Sequence, residues 1–300
     1  MKVSAPSFTD AALSEKSWAA VLSDLIKARL TGMVLLSTLV GFWAGSPGPL
    51  DLRLLFHALL GTALLASGAS ALNQLLERDH DALMERTRER PLPSGRLQPG
   101  TVLILGAAWS AAGMVYLAGA VNLLTGLLGA LTLSLYLWVY TPLKRLSPLN
   151  TVVGAIPGAL PPLMGWTASQ GELSVGGWSL FALQFFWQLP HFMAIAWLYR
   201  HEYARAGFKM LPVVDPSGER VALQTVSHTL GLLAVSLSPF VFGLAGPLYL
   251  LGALVGGTLF LACAIRFARA LTRQHARWLF LASIVYLPLI LGLIAWDKPR

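Results

Sequence analysis

The sequence predicts an all-α membrane protein: a bundle of nine transmembrane helices around a central cavity that opens near the cytoplasmic face. Of its 300 residues, 55% are hydrophobic and only 12% are charged, whereas about a quarter of the residues in a soluble domain are charged. Apolar runs of about 20 residues, the length that crosses a bilayer, recur along the chain. Several contain Pro or Gly, which a membrane helix tolerates where it faces other helices or a cavity.

Nine apolar segments predict the transmembrane helices. They cover residues 30–46, 54–76, 101–119, 121–140, 149–168, 177–199, 226–244, 247–265 and 278–296. The fifth, "NTVVGAIPGALPPLMGW", is the one most interrupted by Pro and Gly. Neighbouring helices or a cavity must satisfy the backbone groups that such breaks release, so we expect this segment to face the interior of the bundle.

The remaining segments define the domain organisation. Residues 1–29 form a cytoplasmic N-terminal segment, in which "SEKSWAAVLSDLIKAR" is typical of an amphipathic helix at the membrane interface. The first strong apolar run begins near Leu30, too late for a cleavable signal peptide. We expect a single polytopic domain over 30–296 and a tail over 297–300. Its cytoplasmic loops are expected at about 77–100, 141–148, 200–225 and 266–277. The single cysteine, Cys263, excludes a disulfide framework.

The distribution of basic residues predicts the orientation. Of the 22 Lys and Arg residues, 19 lie in the N-terminal segment or in the four predicted cytoplasmic loops. The positive-inside rule then places the N-terminus in the cytoplasm and the C-terminus outside, in a bacterial-type plasma (inner) membrane. The formal net charge of +8 is therefore mostly a matter of topology. Because it is spread over helix ends, nucleic acid is not an expected partner.

A charged stretch follows the second apolar segment directly. Ten of the 24 residues over 73–96 are charged. Asn73, Glu77 and Asp81 stand four residues apart, so they form one stripe if the helix continues out of the membrane. Carboxylate and amide oxygens suit Mg²⁺, which is often completed by phosphate oxygens, and the neighbouring arginines suit phosphate. The alternative is an ordinary charged loop with local ion pairs.

A second polar constellation follows the sixth apolar segment. Glu202 stands just past its end, with Arg205 and Lys209 nearby. Both segments end at the cytoplasmic face, so the two acidic sites can converge there. His191 falls within the segment, and it is either a hydrogen-bonded packing residue or a functional group that faces a cavity. The sequence contains no HExxH motif, which argues against a zinc hydrolase, and no P-loop, GxGxxG or GxSxG motif.

Four blocks together carry a family resemblance. They are "NQLLERDHDALMERTRERPLPSGR", "YTPLKRLSPLNTVVGAIPGALPPLMGW", "WQLPHFMAIAW" and "HEYARAGFKMLPVV". In this order and spacing they resemble the UbiA-type intramembrane prenyltransferases, and more narrowly the members that farnesylate haem. The resemblance covers roughly residues 25–295. Two positions depart from the family pattern, because Glu77 and Glu202 stand where Asp is usual. Each adds one methylene, which leaves the reaction class intact but alters the geometry of metal binding.

The resemblance implies an enzyme that transfers a farnesyl group from farnesyl diphosphate to a vinyl group of haem b. The products are haem O and diphosphate, and Mg²⁺ assists departure of the leaving group. The implied partners are farnesyl diphosphate, haem b, the lipid bilayer, and a haem A synthase or terminal oxidase assembly factors downstream. The "RPLPSGR" loop is expected to cover the site as a lid, with a short helix between Asp81 and Arg90.

The resemblance also implies roles for individual residues. These are metal binding by Asn73, Glu77, Asp81 and Glu202; catalysis by Asp81, Asp79, Lys144 and Arg78; and substrate binding by Arg86, Arg90, Lys144, Asn150, Arg205, Lys209 and Tyr140. His191 is the candidate axial ligand of haem. An allylic cation needs an apolar chamber with aromatic walls, for which the candidates are Tyr136, Tyr140, Trp166, Trp187 and Phe192.

Three alternatives stay open at this point. A member of the same superfamily that prenylates a quinone or chlorophyll precursor shares the acidic stripe. A secondary transporter also has broken helices and buried polar residues, although at the bilayer midplane rather than at one face. A non-catalytic haem-handling assembly protein requires the histidine but no metal-bound diphosphate.

Overall fold

The computed structural model describes residues 16–299, and within this range the chain is helical with no β-strand. Residues 1–15 of the predicted N-terminal segment and Arg300 lie outside the described range. The helices are α1 (Trp18–Leu25), α2 (Ala28–Gly45), α3 (Leu52–Asp81), α4 (Pro99–Ala120), α5 (Leu123–Ser134), α6 (Thr141–Leu146), α7 (Asn150–Gln170), α8 (Val175–Leu198), α9 (Arg200–Arg205), α10 (Leu211–Val214), α11 (Glu219–Val235), α12 (Ser238–Val241), α13 (Pro247–Ala270) and α14 (Arg273–Trp296).

Polar side chains cap several of the long apolar helices. Asp51 accepts a hydrogen bond from the backbone N–H of Leu54 at the start of α3, at 2.9 Å. Asn122 does the same for Thr125 at the start of α5, at 2.8 Å. Such caps satisfy N–H groups that have no partner inside the helix. The sequence therefore signals where these helices begin.

Seven helical segments are long and apolar enough to cross a membrane. They are Ala28–Gly45, Leu52–Asp81, Pro99–Ala120, Leu123–Leu146, Glu219–Val241, Pro247–Ala270 and Arg273–Trp296. The fifth and sixth predicted segments coincide with α7 and α8, which have 21 and 24 residues but are not among these seven. The protein is thus a multi-pass membrane protein with at least seven apolar helices of spanning length.

Helix α7 is the most interior helix, as its Pro and Gly content predicted, and it crosses α2 at very short range. A Cβ at Gly165 would overlap the carbonyl oxygen of Thr38, and one at Gly41 would overlap the carbonyl oxygen of Pro162. Small residues let membrane helices approach closely and gain van der Waals contact. Nearer the start of α7, Gln188 of α8 donates a hydrogen bond to the carbonyl oxygen of Ala155, at 3.3 Å.

A short π-helical segment, Leu135–Tyr140, joins α5 to α6. Its irregular backbone is held by Thr141, whose hydroxyl donates to the carbonyl oxygen of Tyr136 at 2.8 Å. The rings of Tyr136 and Tyr140 stack, with 5.7 Å between their centroids, and both side chains line one cavity inside the protein. Segments of this kind are frequent at functional sites.

Candidate active site

A cavity of about 310 Å³ lies among α2, α3, the Leu123–Leu146 span, α7 and α8. Its body is apolar, with Leu65, Leu133 and Met164 among the lining residues. Its other end is polar and charged, and is formed by Lys27, Asn73, Glu77, Asp81, Arg86, Arg90 and Lys144. The cavity thus joins an oily chamber to a charged end.

The acidic stripe forms one buried face of α3. The helix continues through Asp81, as the spacing requires, and Asn73, Glu77 and Asp81 all line the cavity. They are 0%, 5% and 1% exposed. Burial of a charge is costly unless it is paired, so these groups need partners inside the protein.

Cations from other parts of the chain supply those partners. Lys144 of α6 pairs with Glu77, with 2.6 Å between Nζ and Oε1. Arg90 of the loop after α3 pairs with Asp81, with 2.6 Å between Nη1 and Oδ2. Lys27 donates a hydrogen bond to Oδ1 of Asn73 at 2.8 Å. Each predicted metal-binding residue on α3 therefore has a basic partner.

Lys27 was not among the residues that the sequence singled out. In the sequence it is one of the basic residues of the predicted cytoplasmic side, and no motif distinguishes it from the others. Burial, followed by repulsion from Arg90, lowers the pKa of its ammonium group to about 7. Only its position in the fold reveals that it faces the cavity.

The loop between α3 and α4 covers the charged end through Arg86 and Arg90, whereas the rest of the expected lid, residues 91–96, does not line the cavity. Arg86 donates through Nη2 to the hydroxyl of Tyr203 at 2.9 Å, and its guanidinium lies 4.7 Å from the centroid of the Tyr199 ring. The expected short helix between Asp81 and Arg90 was wrong, because the chain forms turns there. The hydroxyl of Thr87 donates a hydrogen bond to the carbonyl oxygen of Asp81 at 2.8 Å, and this bond competes with the backbone hydrogen bonds of a helix.

Glu202 lies beside this loop and does not line the cavity. Its Oε2 accepts a hydrogen bond from the backbone N–H of Arg86 at 3.2 Å. Within residues 16–299, no group of three or more His, Cys, Asp or Glu side chains is arranged to hold a metal ion. The structure therefore brings Asn73, Glu77 and Asp81 together but leaves the fourth predicted ligand outside their cluster.

Several other predicted site residues also lie away from the cavity. Arg78 and Asp79 pair with each other at 2.9 Å, and the Asp79 side chain is 81% exposed. Arg205 and Lys209 are exposed. Asn150 is buried and donates to the carbonyl oxygens of two residues in neighbouring loops. The predicted residues that do line the cavity are Asn73, Glu77, Asp81, Arg86, Arg90, Tyr140 and Lys144.

His191 faces α14 rather than the cavity. Its Nδ1 lies 2.7 Å from the hydroxyl of Ser283, and its ring stacks between those of Trp187 and Phe280, with centroids 4.9 and 5.2 Å away. Of the five aromatic wall candidates, Tyr136, Tyr140 and Phe192 line the cavity, whereas Trp166 and Trp187 do not. Successive residues of a helix point in directions about 100° apart, so Phe192 lines the cavity while its neighbour His191 does not.

The donor set at the charged end fits a magnesium ion together with an anionic diphosphate. Asn73, Glu77 and Asp81 offer buried oxygen ligands on one face, which suits Mg²⁺ when substrate oxygens complete its coordination. The basic residues around them outnumber the two carboxylates, which favours an anionic ligand. The adjoining apolar chamber suits a hydrocarbon chain.

A helical membrane bundle with this divided cavity belongs to the class of intramembrane prenyltransferases. Residues 34–287 match the sequence model of the UbiA prenyltransferase family, and the chain belongs to that family. Among its relatives, a protoheme IX farnesyltransferase of Solibacter usitatus (strain Ellin6076) is 48% identical over 92% of this chain and 98% of its own length. One of Opitutus terrae is 46% identical over 92% and 93%, respectively.

Solved structures share the fold at low sequence identity. A structure described as digeranylgeranylglyceryl phosphate synthase in membranes superposes with a TM-score of 0.79 at 13% identity, covering 93% of this chain and 98% of that one. A UbiA homologue from Archaeoglobus fulgidus bound to DMAPP and Mg²⁺ gives a TM-score of 0.64 at 18% identity, covering 91% and 99%. These likenesses show that the chain has the fold of these proteins.

Proposed function

We propose that this protein is an intramembrane farnesyltransferase that acts on protoheme IX. It transfers the farnesyl group of farnesyl diphosphate to a vinyl group of haem b, and it gives haem O and diphosphate. The observation that carries this proposal is the cavity, in which a cationic end with buried oxygen donors adjoins an apolar chamber. The high identity to proteins named protoheme IX farnesyltransferase supports haem as the acceptor.

The chemistry begins with departure of the diphosphate. The allylic C–O bond breaks, and its electron pair leaves with the diphosphate oxygen. Mg²⁺ bound between the diphosphate and Asn73, Glu77 and Asp81 would supply charge neutralisation at the leaving group. Lys144 and Arg90 already point into the charged end, where they stabilise the oxygens on which negative charge grows. These residues therefore lower the barrier to ionisation.

The farnesyl cation then meets the acceptor inside the chamber. Its C1 bonds to the terminal carbon of the vinyl group, water adds to the inner carbon, and the proton released goes to diphosphate. Tyr136, Tyr140 and Phe192 line the chamber, and their ring faces stabilise positive charge while the apolar walls exclude other water. Arg86, in the loop that covers the charged end, helps to close the site.

His191 remains the proposed axial ligand of haem. Ser283 engages its Nδ1, so Nε2 is the nitrogen available to iron. On the same helix, Gln188 and Phe192 line the farnesyl cavity. A haem bound to His191 would therefore lie against α8, and its vinyl group would reach the cavity around the side of that helix.

We place the protein in a bacterial-type inner membrane as a nine-span bundle, with α7 and α8 as the two spans beyond the seven most apolar segments. The N-terminus and the charged end of the cavity face the cytoplasm, and the C-terminus lies outside, because 19 of 22 Lys and Arg residues lie on the cytoplasmic side in this arrangement. The haem product passes to a haem A synthase or to terminal oxidase assembly factors.

The test is turnover by the purified protein in lipid nanodiscs. Farnesyl diphosphate, Mg²⁺ and either haem b or 4-hydroxybenzoate are supplied, and products are identified by mass spectrometry alongside diphosphate release. Farnesylated, hydroxylated haem is the expected product. Prenylation of the aromatic acid alone would refute the acceptor, and bound haem with no diphosphate release would favour a haem-handling protein. Substrate uptake into vesicles without diphosphate release would favour a transporter.

A further inference from the structure

A break between α1 and α2 directs Lys27 into the charged end of the cavity. Lys27 has φ 49° and ψ 55°, a left-handed conformation that residues with a Cβ seldom adopt. Gln74 of α3 holds the turn in place, because its Nε2 donates to the carbonyl oxygens of Asp24 and Leu25, at 3.0 and 2.7 Å. The fold thus maintains an uncommon backbone conformation next to the predicted metal-binding residues, which is typical of functional sites.

The ammonium group of Lys27 contacts a predicted metal-binding atom. Its Nζ donates to Oδ1 of Asn73 at 2.8 Å and lies 3.5 Å from the hydroxyl of Tyr136. The amide nitrogen of Asn73 donates to the hydroxyl of Thr141 at 3.1 Å. The orientation of the Asn73 amide is therefore fixed, and the ammonium group of Lys27 lies against its oxygen, where a metal cation would be repelled.

Lys27 differs from its two basic neighbours in the charge of its partner. Lys144 and Arg90 each pair with a carboxylate. In the described part of the chain, Lys27 forms no salt bridge, and its hydrogen-bond partner at 2.8 Å is a neutral amide. A cation enclosed in this way is stabilised strongly by an anion that enters the cavity.

We propose that Lys27 is a diphosphate-binding residue that keeps Asn73 from binding metal until the diphosphate arrives. This role depends on the proposed function, because that function supplies the diphosphate. When the anion enters, the ammonium transfers from Oδ1 of Asn73 to a diphosphate oxygen, and Oδ1 becomes available to Mg²⁺. Metal and diphosphate therefore strengthen each other's binding, and the coupling is reciprocal.

The test compares three variants in nanodiscs without haem. Lys27→Met removes the charge at similar length, Lys27→Arg keeps it, and Lys16→Met is the matched control, because Lys16 pairs with Asp24 at 2.7 Å on the exposed side of the same N-terminal region. Mn²⁺ serves as the metal probe, measured by electron paramagnetic resonance. Farnesyl thiodiphosphate serves as a slowly reacting diphosphate probe, and its dissociation constant is measured with and without Mn²⁺.

We expect Lys27→Met to weaken the binding of the diphosphate probe and to strengthen the binding of the metal probe. It binds farnesyl thiodiphosphate about tenfold or more weakly, because a charge-assisted hydrogen bond is lost. It binds Mn²⁺ alone more tightly than the wild type, because Oδ1 of Asn73 is released. The factor by which Mn²⁺ increases the affinity for farnesyl thiodiphosphate becomes smaller than in the wild type. Lys27→Arg keeps most of the affinity for the diphosphate, and Lys16→Met matches the wild type.

A structural role for Lys27 would give a different pattern. If Lys27→Met weakens both ligands together, or neither, the proposed role is overturned. The same holds if Lys27→Arg loses the diphosphate as fully as Lys27→Met does. A wild type that binds no farnesyl thiodiphosphate overturns the proposed function as well. Normal thiodiphosphate and Mn²⁺ binding without haem farnesylation refutes only the acceptor, and the role of Lys27 stands.

Discussion

The ion pair between Lys144 and Glu77 joins stability to catalysis, and Lys144→Met should affect both. Nζ and Oε1 are 2.6 Å apart, and the side chains are only 14% and 6% exposed, so solvent screens the pair little. Loss of one partner from a buried pair costs about 3–5 kcal/mol. Lys27 and Arg90 lie at the same charged end as Glu77 and leave its carboxylate some compensation, so we expect a loss of folding free energy near the lower end, about 3 kcal/mol.

A second substitution separates the two effects. In Lys144→Met/Glu77→Gln the unpaired buried charge is gone, so stability should recover by about 1–2 kcal/mol relative to Lys144→Met. Turnover should not recover, because both the cation at the diphosphate and a metal ligand are missing. For Lys144→Met alone we expect diphosphate release to fall about 100-fold.

The assay is the denaturation midpoint in nanodiscs, measured beside the rate of diphosphate release. Arg145→Met is the matched control, because Arg145 is the next residue of α6 and is exposed. Wild-type stability together with wild-type turnover in Lys144→Met would refute the reasoning. So would a double variant that recovers turnover along with stability, since Lys144 would then act through folding alone.

Three further outcomes are expected. Asp81→Asn should fold but lose Mg²⁺-dependent diphosphate release about 100-fold, and full activity would remove Asp81 from the metal site. His191→Ala should lose the absorption spectrum of bound haem and haem-dependent turnover while it still binds farnesyl thiodiphosphate; an unchanged spectrum and turnover would dismiss His191 as the axial ligand. Gly165→Ala should destabilise the crossing of α2 and α7 by about 1–3 kcal/mol, whereas Gly32→Ala, which meets nothing within 4 Å, should not lower the denaturation midpoint. Equal effects of the two alanines would contradict the close approach.

Most of the helices and the acidic stripe could be predicted from local sequence patterns. The spacing of Asn73, Glu77 and Asp81 fixes their relative direction on any continuous helix, and α3 does continue through Asp81. Hydropathy located the seven helical segments that are long and apolar enough to cross a membrane, because the bilayer itself imposes their length. The interior position of α7 followed from its prolines, because only an interior helix can satisfy the groups that they release.

The residues around the stripe could not be assigned in this way. Arg78 and Asp79 belong to the same charged stretch as Glu77, yet they face away from the cavity and pair with each other. Glu202 had the right residue type and the right end of a helix, but its carboxylate accepts a hydrogen bond from the backbone of Arg86. The signal for a charged loop does not say which of its members reach a common ligand.

The amino-acid sequence by itself determined the class of this protein, the positions of its seven most apolar helices and the oxygen donors of α3, because periodicity and hydropathy act over short stretches of chain. Only the tertiary structure decided which cations meet those donors and which way His191 points. Three separate segments supply the cations Lys27, Arg90 and Lys144. The packing of the helices and one left-handed turn at Lys27 bring them to a single charged end. Such contacts depend on packing between distant parts of the chain, and no local pattern encodes them.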